Sequence, residues 1–212
     1  MIAPTPLRVA SKNKLAFSAW SILRSDTSPA LATGGQLGGS QAGIRARYPI
    51  GPALHVAARV SAPIGSSRGK EAAVAIDWRP IRAVPVTITV ERRVGLDRAG
   101  RDAFAVGAFG GFDHTLANGA RIDGYAQAGI VGTRRRDAYV DGSVRADVPV
   151  APRIALGLGA WGGAQPGVAR LDIGPQIVVR GRNLRLGAEW RARVAGDARP
   201  GSGPALSLGA DF

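Results

Sequence analysis

Apolar and polar residues alternate along this chain in about twelve short segments. Pro204-Ala-Leu-Ser-Leu-Gly-Ala-Asp-Phe212 is the clearest: Leu206, Leu208, Ala210 and Phe212 share one side, Ser207, Gly209 and Asp211 the other. Side chains alternate faces along an extended strand, so this reads as a strand with one greasy and one polar face. Similar alternation predicts strands at 14–24, 40–48, 54–62, 71–79, 85–93, 120–133, 138–148, 153–161, 169–180 and 184–195. The segment 103–112 is glycine-rich and less regular, and 14–24 is the weakest pattern. In 71–79, Ala72, Val74, Ile76 and Trp78 oppose Glu71, Asp77 and Arg79. In 184–195, Leu184, Leu186, Ala188, Trp190, Ala192 and Val194 oppose Arg185, Glu189, Arg191 and Arg193. A one-residue slip would exchange the faces, so so many clean splits specify register strongly. Helical spacing fits these segments badly, and Gly and Pro interrupt the chain too often for long helices.

Composition decides which face is inside. The residues on the apolar faces are mostly Ala, Val and Gly. Turned inward in a soluble barrel of twelve strands, they would have to fill a wide core at native density, which small side chains do poorly. Turned outward they meet lipid, where no close packing is required. No apolar run reaches the ~18 residues of a membrane helix, and mean hydropathy is +0.03. A near-neutral mean is what a membrane barrel shows, because its two faces average out. The expected fold is all-β: an antiparallel up-and-down transmembrane β-barrel of about twelve strands. The alternative is a soluble β-barrel that binds lipid.

The links refine this picture. Pro49–Ala53, Pro80–Val84, Pro149–Pro152 and Gly181–Asn183 are short. Ser25–Gly39, Pro63–Lys70, Gly95–Asp102, Gly162–Val168 and Gly196–Gly203 are longer, while Asp113–Gly119 and the tight Arg134–Asp137 link break the trend. One rim of short turns and one of long loops describes an outer-membrane barrel with its short rim periplasmic. An even strand number puts both chain ends on that rim. Residues 14–212 thus read as the barrel, and residues 1–13 as a linker from an upstream periplasmic region. The start lacks the apolar core of ~7–15 residues expected of a secretory signal.

Net charge is +13, and of the 28 basic residues all but Lys12, Lys14 and Lys70 are arginines. A nucleic-acid binder gathers such charge on one face or tail. Here it is spread through nearly every segment, so no nucleic-acid partner is expected. The charge reads as a lumen lining: Arg45, Arg47, Arg59, Arg145, Arg180, Arg185, Arg191 and Arg193, together with Arg79, Arg93, Arg121 and Arg170. The acids assigned inward are Glu71, Asp77, Glu91, Asp123, Asp141, Asp147, Asp172, Glu189 and Asp211. Two readings stay open. The charges form an internal salt-bridge network that plugs the barrel, or an arginine excess favours anionic solutes in a pore. Arg180, Arg185, Arg191 and Arg193 are the best candidates for a basic track. Arg134, Arg135 and Arg136 are expected on the outer rim, near lipopolysaccharide phosphates. Trp78, Trp190, Tyr48 and Phe212 are expected as membrane-interface aromatics, with Trp20 and Trp161 near segment ends or on the apolar face.

Catalytic chemistry is thin. The histidines, His55 and His114, lie in separate segments, and no metal-ligand spacing occurs. There is no Gly-x-Ser-x-Gly elbow and no phosphate-cradling glycine loop. No cysteine is present, so neither disulfides nor thiolate metal sites exist. No catalytic residue, metal or cofactor is expected.

Three stretches carry a family resemblance: Ser18-Ala-Trp-Ser-Ile-Leu-Arg24, Gly34-Gly-Gln-Leu-Gly-Gly-Ser-Gln-Ala-Gly-Ile-Arg45, and Trp190-Arg-Ala-Arg-Val-Ala-Gly-Asp-Ala-Arg-Pro-Gly-Ser-Gly-Pro204. Together they resemble the C-terminal region of the bacteriophage N-four adsorption protein A family. The resemblance implies an outer-membrane barrel following a periplasmic helical-repeat region, acting in exopolysaccharide export and exploited by phage as a receptor. This chain contains no repeat region. The function implied is the channel or anchor module of such an export system. The alternative is a closed barrel serving as anchor and surface receptor.

Overall fold

A computed structural model describes residues 15–24, 32, 37, 39–132 and 137–212. Twelve strands run in chain order: β1 (Ala16–Leu23), β2 (Gln41–Pro49), β3 (Leu54–Pro63), β4 (Glu71–Trp78), β5 (Val86–Gly95), β6 (Ala103–Thr115), β7 (Arg121–Val131), β8 (Asp137–Ala151), β9 (Ile154–Gln165), β10 (Val168–Arg180), β11 (Leu184–Gly196) and β12 (Gly203–Asp211). Each pairs antiparallel with its chain neighbours, and β1 pairs with β12 to close the barrel. The last residue completes that seam: Phe17 N–H donates to Phe212 O at 3.0 Å, and Phe212 N–H donates to Phe17 O at 2.8 Å.

Sequence alternation becomes the wall of the barrel. Val60, Val74, Val106, Val144, Leu158, Ile177 and Leu206 are among the large apolar side chains that remain more than half exposed. Their partners in alternation are buried: Arg59, Asp77, Arg145, Asp172 and Arg191. This is the inverse of a soluble barrel, whose apolar side chains face in. Small residues are tolerated on the outside because hydrocarbon chains, unlike side chains, flow into gaps. Ala46, Ala58 and Ala72 leave such a gap, an external groove of about 460 Å³ between Ile44, Val60, Val74 and Val94.

The rims differ as expected, with local departures. β6, β8 and β9 are longer than the alternation suggested, while β1, β4 and β7 are shorter. β6 continues through Asp113, His114 and Thr115, which were expected to turn. Its turn is closed by Leu116 N–H donating to Ala120 O at 2.7 Å. β8 absorbs Pro149–Ala151, at the cost of a register shift between Pro149 and Ala151. The link expected over Gly162–Val168 is a two-residue turn, Pro166-Gly167, in which Gly167 takes φ +78°. Its residues 162–165 pair along β10 instead. Backbone pairing wins in each case, because an unpaired amide in hydrocarbon costs several kcal/mol. The expected rim arginines Arg134, Arg135 and Arg136 lie outside the described residues, as do 1–13 and most of the 25–39 link.

Val144 sits midway along β8 and faces outward. Val144→Arg should lower stability by about 2–4 kcal/mol in lipid vesicles. Denaturant titration of the reconstituted barrel checks this. A cost near zero would mean that this wall does not face hydrocarbon.

Candidate functional site: the charged interior

Strands supply the interior in ladders, so ionic partners come from the same strand or from strands one to three apart along the wall. Asp77 on β4 meets two arginines of β2: Arg45 Nη2 at 2.7 Å and Arg47 Nε at 3.2 Å. Glu91 on β5 meets Arg59 of β3 at 3.4 Å and its strand-mate Arg93 at 2.5 Å. Asp123 on β7 pairs with Arg145 and, at 3.8 Å, with Arg180; Arg180 also pairs with Asp147. Asp172 on β10 joins Arg24, just past the end of β1, at 3.2 Å to Arg170 at 2.8 Å. Glu189 pairs with Arg191 and accepts from Ser207 Oγ at 2.7 Å.

One motif recurs in this interior: a carboxylate shared by two guanidiniums. Asp77, Glu91, Asp123 and Asp172 all follow it. An isolated buried ion would be prohibitive, and a buried pair holds only when its geometry and remaining hydrogen bonds are good. Neutral groups fill in the rest. Gln176 Nε2 donates to Asp147, and Tyr125 Oη donates to Asp141 at 3.1 Å.

All eight arginines expected in the lumen face inward. Arg45, Arg47, Arg59, Arg145, Arg180 and Arg191 are in these ion pairs. Arg185 instead donates to Gln176 Oε1 at 3.1 Å and to Ser207 Oγ at 3.5 Å. Arg193 donates to the carbonyl of Ala198 at 2.7 Å. The expected grouping of Arg180, Arg185, Arg191 and Arg193 into one track is not what forms. Arg180 and Arg185 belong to the short-turn end of β10 and β11, Arg191 and Arg193 to the long-loop end. Arg79, expected inward, lies past the end of β4. Its guanidinium holds the β4–β5 turn by donating to the carbonyls of Val84 and Arg82.

The aromatics divide between wall and interior. Tyr48, Trp78, Trp190 and Phe212 are outward and exposed. Tyr48, Trp78 and Phe212 sit toward the short-turn rim, and Trp190 toward the long loops. Trp20 and Trp161 are interior, not on the apolar face. Trp161 is fully buried, with the Arg191 guanidinium 4.5 Å from its ring centroid. Each indole lies across a glycine: a Cβ on Gly43 would come within 2.2 Å of Trp20, and one on Gly159 within 2.4 Å of Trp161. The parity of the first strand contained this signal, since Ser18, Trp20, Ile22 and Arg24 share a face.

Ala32, Leu37 and Ala198 are buried, and Leu37 packs at the inward side of Gly163. Outside the wall, Asp97 staples two loops. Its carboxylate accepts from the backbone N–H groups of Gly69, Lys70, Ala99 and Gly100. Those hydrogen bonds, first the ones from Gly69 and Lys70, lower its pKa to about 2. Among the described residues no cluster of His, Asp and Glu is arranged to hold a metal.

No protein-family model and no curated protein matches this chain. Solved structures do. An outer-membrane channel from Pseudomonas putida F1 is similar over 93% of this chain and 94% of that chain, at 12% identity and TM-score 0.47. Wzi from Escherichia coli is an outer-membrane, carbohydrate-binding β-barrel involved in group 1 capsule assembly. It is similar over 91% of this chain and 60% of that chain, at 10% identity and TM-score 0.41. LpxR from Salmonella typhimurium is similar over 93% and 99%, at 7% identity and TM-score 0.42.

Two measurements test this site. Asp77→Ala leaves Arg45 and Arg47 facing each other and should cost about 3–5 kcal/mol, whereas Asp77→Asn, which keeps an acceptor, should cost less; denaturant midpoints of the two variants check the order. The second concerns Asp97. Its folded pKa lies below the unfolded value of about 3.9. The staple is therefore fully present above that value and is lost as pH falls through about 2. Amide exchange at Gly69 and Lys70 should stay slow at pH 5 and accelerate only in strong acid. Acceleration already near pH 4 would contradict the staple.

Proposed function

We propose that this chain is a closed barrel of a bacterial outer membrane, serving as the anchor module of an exopolysaccharide export system. One observation carries the closed reading: Asp77, Glu91, Asp123, Asp147, Asp172 and Glu189 are each committed to interior arginines. A pore that sorts anions needs unengaged cationic groups along a wet path. Here Asp77, Asp172 and Arg191 have essentially no exposed surface. The ion pairs brace strands that are not neighbours, and so stiffen a wall of small residues. The outward apolar face and the exposed Tyr48, Trp78, Trp190 and Phe212 support residence in a bilayer, with lipid and lipopolysaccharide as immediate partners. Both strand termini of the seam lie on the short-turn rim, a placement suited to a helical-repeat region or protein on the periplasmic side. The export role itself draws on the resemblance of residues 18–24, 34–45 and 190–204.

A second reading, a surface receptor used by phage, is favoured by the Asp97 staple, which ties the β3–β4 loop to the β5–β6 loop.

In planar bilayers the purified chain should insert without stepwise conductance. Stable anion-selective steps would overturn the closed form and restore the channel. The export role is tested separately. Deleting the gene should reduce exported polysaccharide, and restoring it should recover export.

A further inference from the structure

At the long-loop end the motif of one carboxylate between two arginines has a third arginine beside it. Arg24 and Arg170 share the carboxylate of Asp172, and a third guanidinium, that of Arg193, enters from the strand position paired with Asp172 and bonds a loop carbonyl instead. Trp161, Asp172 and Arg193 lie side by side across β9, β10 and β11. The remaining donors turn to the β11–β12 loop, residues 197–202. Arg193 Nη1 donates to Ala198 O at 2.7 Å. Arg170 Nη2 donates to Pro200 O at 2.7 Å and to Gly201 O at 3.3 Å, and Arg24 Nη2 to Gly201 O at 3.4 Å. Neutral carbonyls therefore stand where oxyanion oxygens would bind more strongly, since charge-assisted bonds are about twice as strong as neutral ones.

The polar atoms left over in this cluster specify more than charge. Arg24 Nε, Arg170 Nη1 and Trp161 Nε1 are buried donors without a hydrogen-bond partner, and Asp172 Oδ1 is a buried acceptor without one. Arg24, Arg170, Asp172 and Trp161 are each more than nine-tenths buried. An anion without a hydroxyl could satisfy the donors, but it has nothing to offer Asp172. A hydroxyl group does. Donors for an oxyanion beside an acceptor for a hydroxyl describe an acidic sugar.

We propose that this cluster is a binding site for an anionic saccharide unit, bearing a carboxylate or phosphate, that displaces the carbonyls of residues 200 and 201. The loop is built to permit it. Its first half is tied to the wall, with Asp197 and Ala198 N–H both donating to Ala169 O at 3.0 and 3.1 Å. Pro200 and Gly201 are held through the guanidinium–carbonyl bonds, which the ligand would replace. The proposal relies on the export reading only for the source of the sugar, and it fails independently of conductance or export.

The test is calorimetric titration of the full chain in detergent with glucuronate, glucose 1-phosphate, glucose and inorganic phosphate. Both acidic sugars should bind at least about tenfold more tightly than glucose and than phosphate, a difference of about 1.4 kcal/mol. Arg193→Gln, which disturbs no interior ion pair, should weaken that binding by about tenfold, and Arg170→Gln by more. Arg68→Gln, on an exposed loop, should leave it unchanged. Retained heat-modifiable migration on gels shows that each variant is folded. Phosphate binding as tightly as the sugars would overturn the saccharide assignment. No binding by any of the four, or binding unaffected in folded Arg193→Gln, would overturn the site.

Discussion

A backbone that crosses hydrocarbon must satisfy its own hydrogen bonds. Every other feature of this protein follows from that requirement. Twelve antiparallel strands leave no edge once β1 and β12 join, so every ladder finds a partner without water. The same requirement explains why β6, β8 and β9 run past the points where their residue types suggest a turn. Proline and glycine there disfavour a strand locally, but an unpaired amide near the membrane boundary costs more. Pairing also fixes parity. Once the seam closes on Phe17 and Phe212, every residue is committed to lipid or interior.

Parity then creates a second problem, which charge solves. Ala, Val and Gly on the outside cannot fill a twelve-stranded interior. Arginine can, because its long stem reaches strands that are not neighbours and its planar fork engages two acceptors. Asp77 gathers both arginines of β2, Glu91 takes one from β3, and Asp172 takes Arg24, just past β1, across the seam. The basic surplus of the chain is in part the arithmetic of that motif, in which one acid serves two bases. Where the β11–β12 loop meets Arg24, Arg170 and Arg193, backbone carbonyls take donors that no carboxylate does.

Much of this was legible in the sequence. Alternation placed the strands to within a few residues and put the eight lumen arginines on the inner face. It also put Tyr48, Trp78, Trp190 and Phe212 on the wall. Trp20 and Trp161 were misjudged because aromatic character suggests lipid, whereas strand parity sends both inward, each across a glycine. Arg24 was missed for a related reason: it ends the weakest segment, and only its parity with Ser18, Trp20 and Ile22 marks it.

By itself the sequence determined the class of wall. Period-two alternation with small apolar residues on one face admits few solutions, and composition chooses the inverted one. It could not decide which charge meets which. Arg180 and Arg185 are close in sequence to Arg191 and Arg193, yet antiparallel strands carry the pairs to opposite ends of the barrel. Arg24 and Asp172 are 148 residues apart and touch. Partnerships of that kind depend on register and closure, which set distances across the interior that no local pattern records. Whether an arginine is neutralised, shared or left to a loop carbonyl is therefore a property of the closed barrel alone.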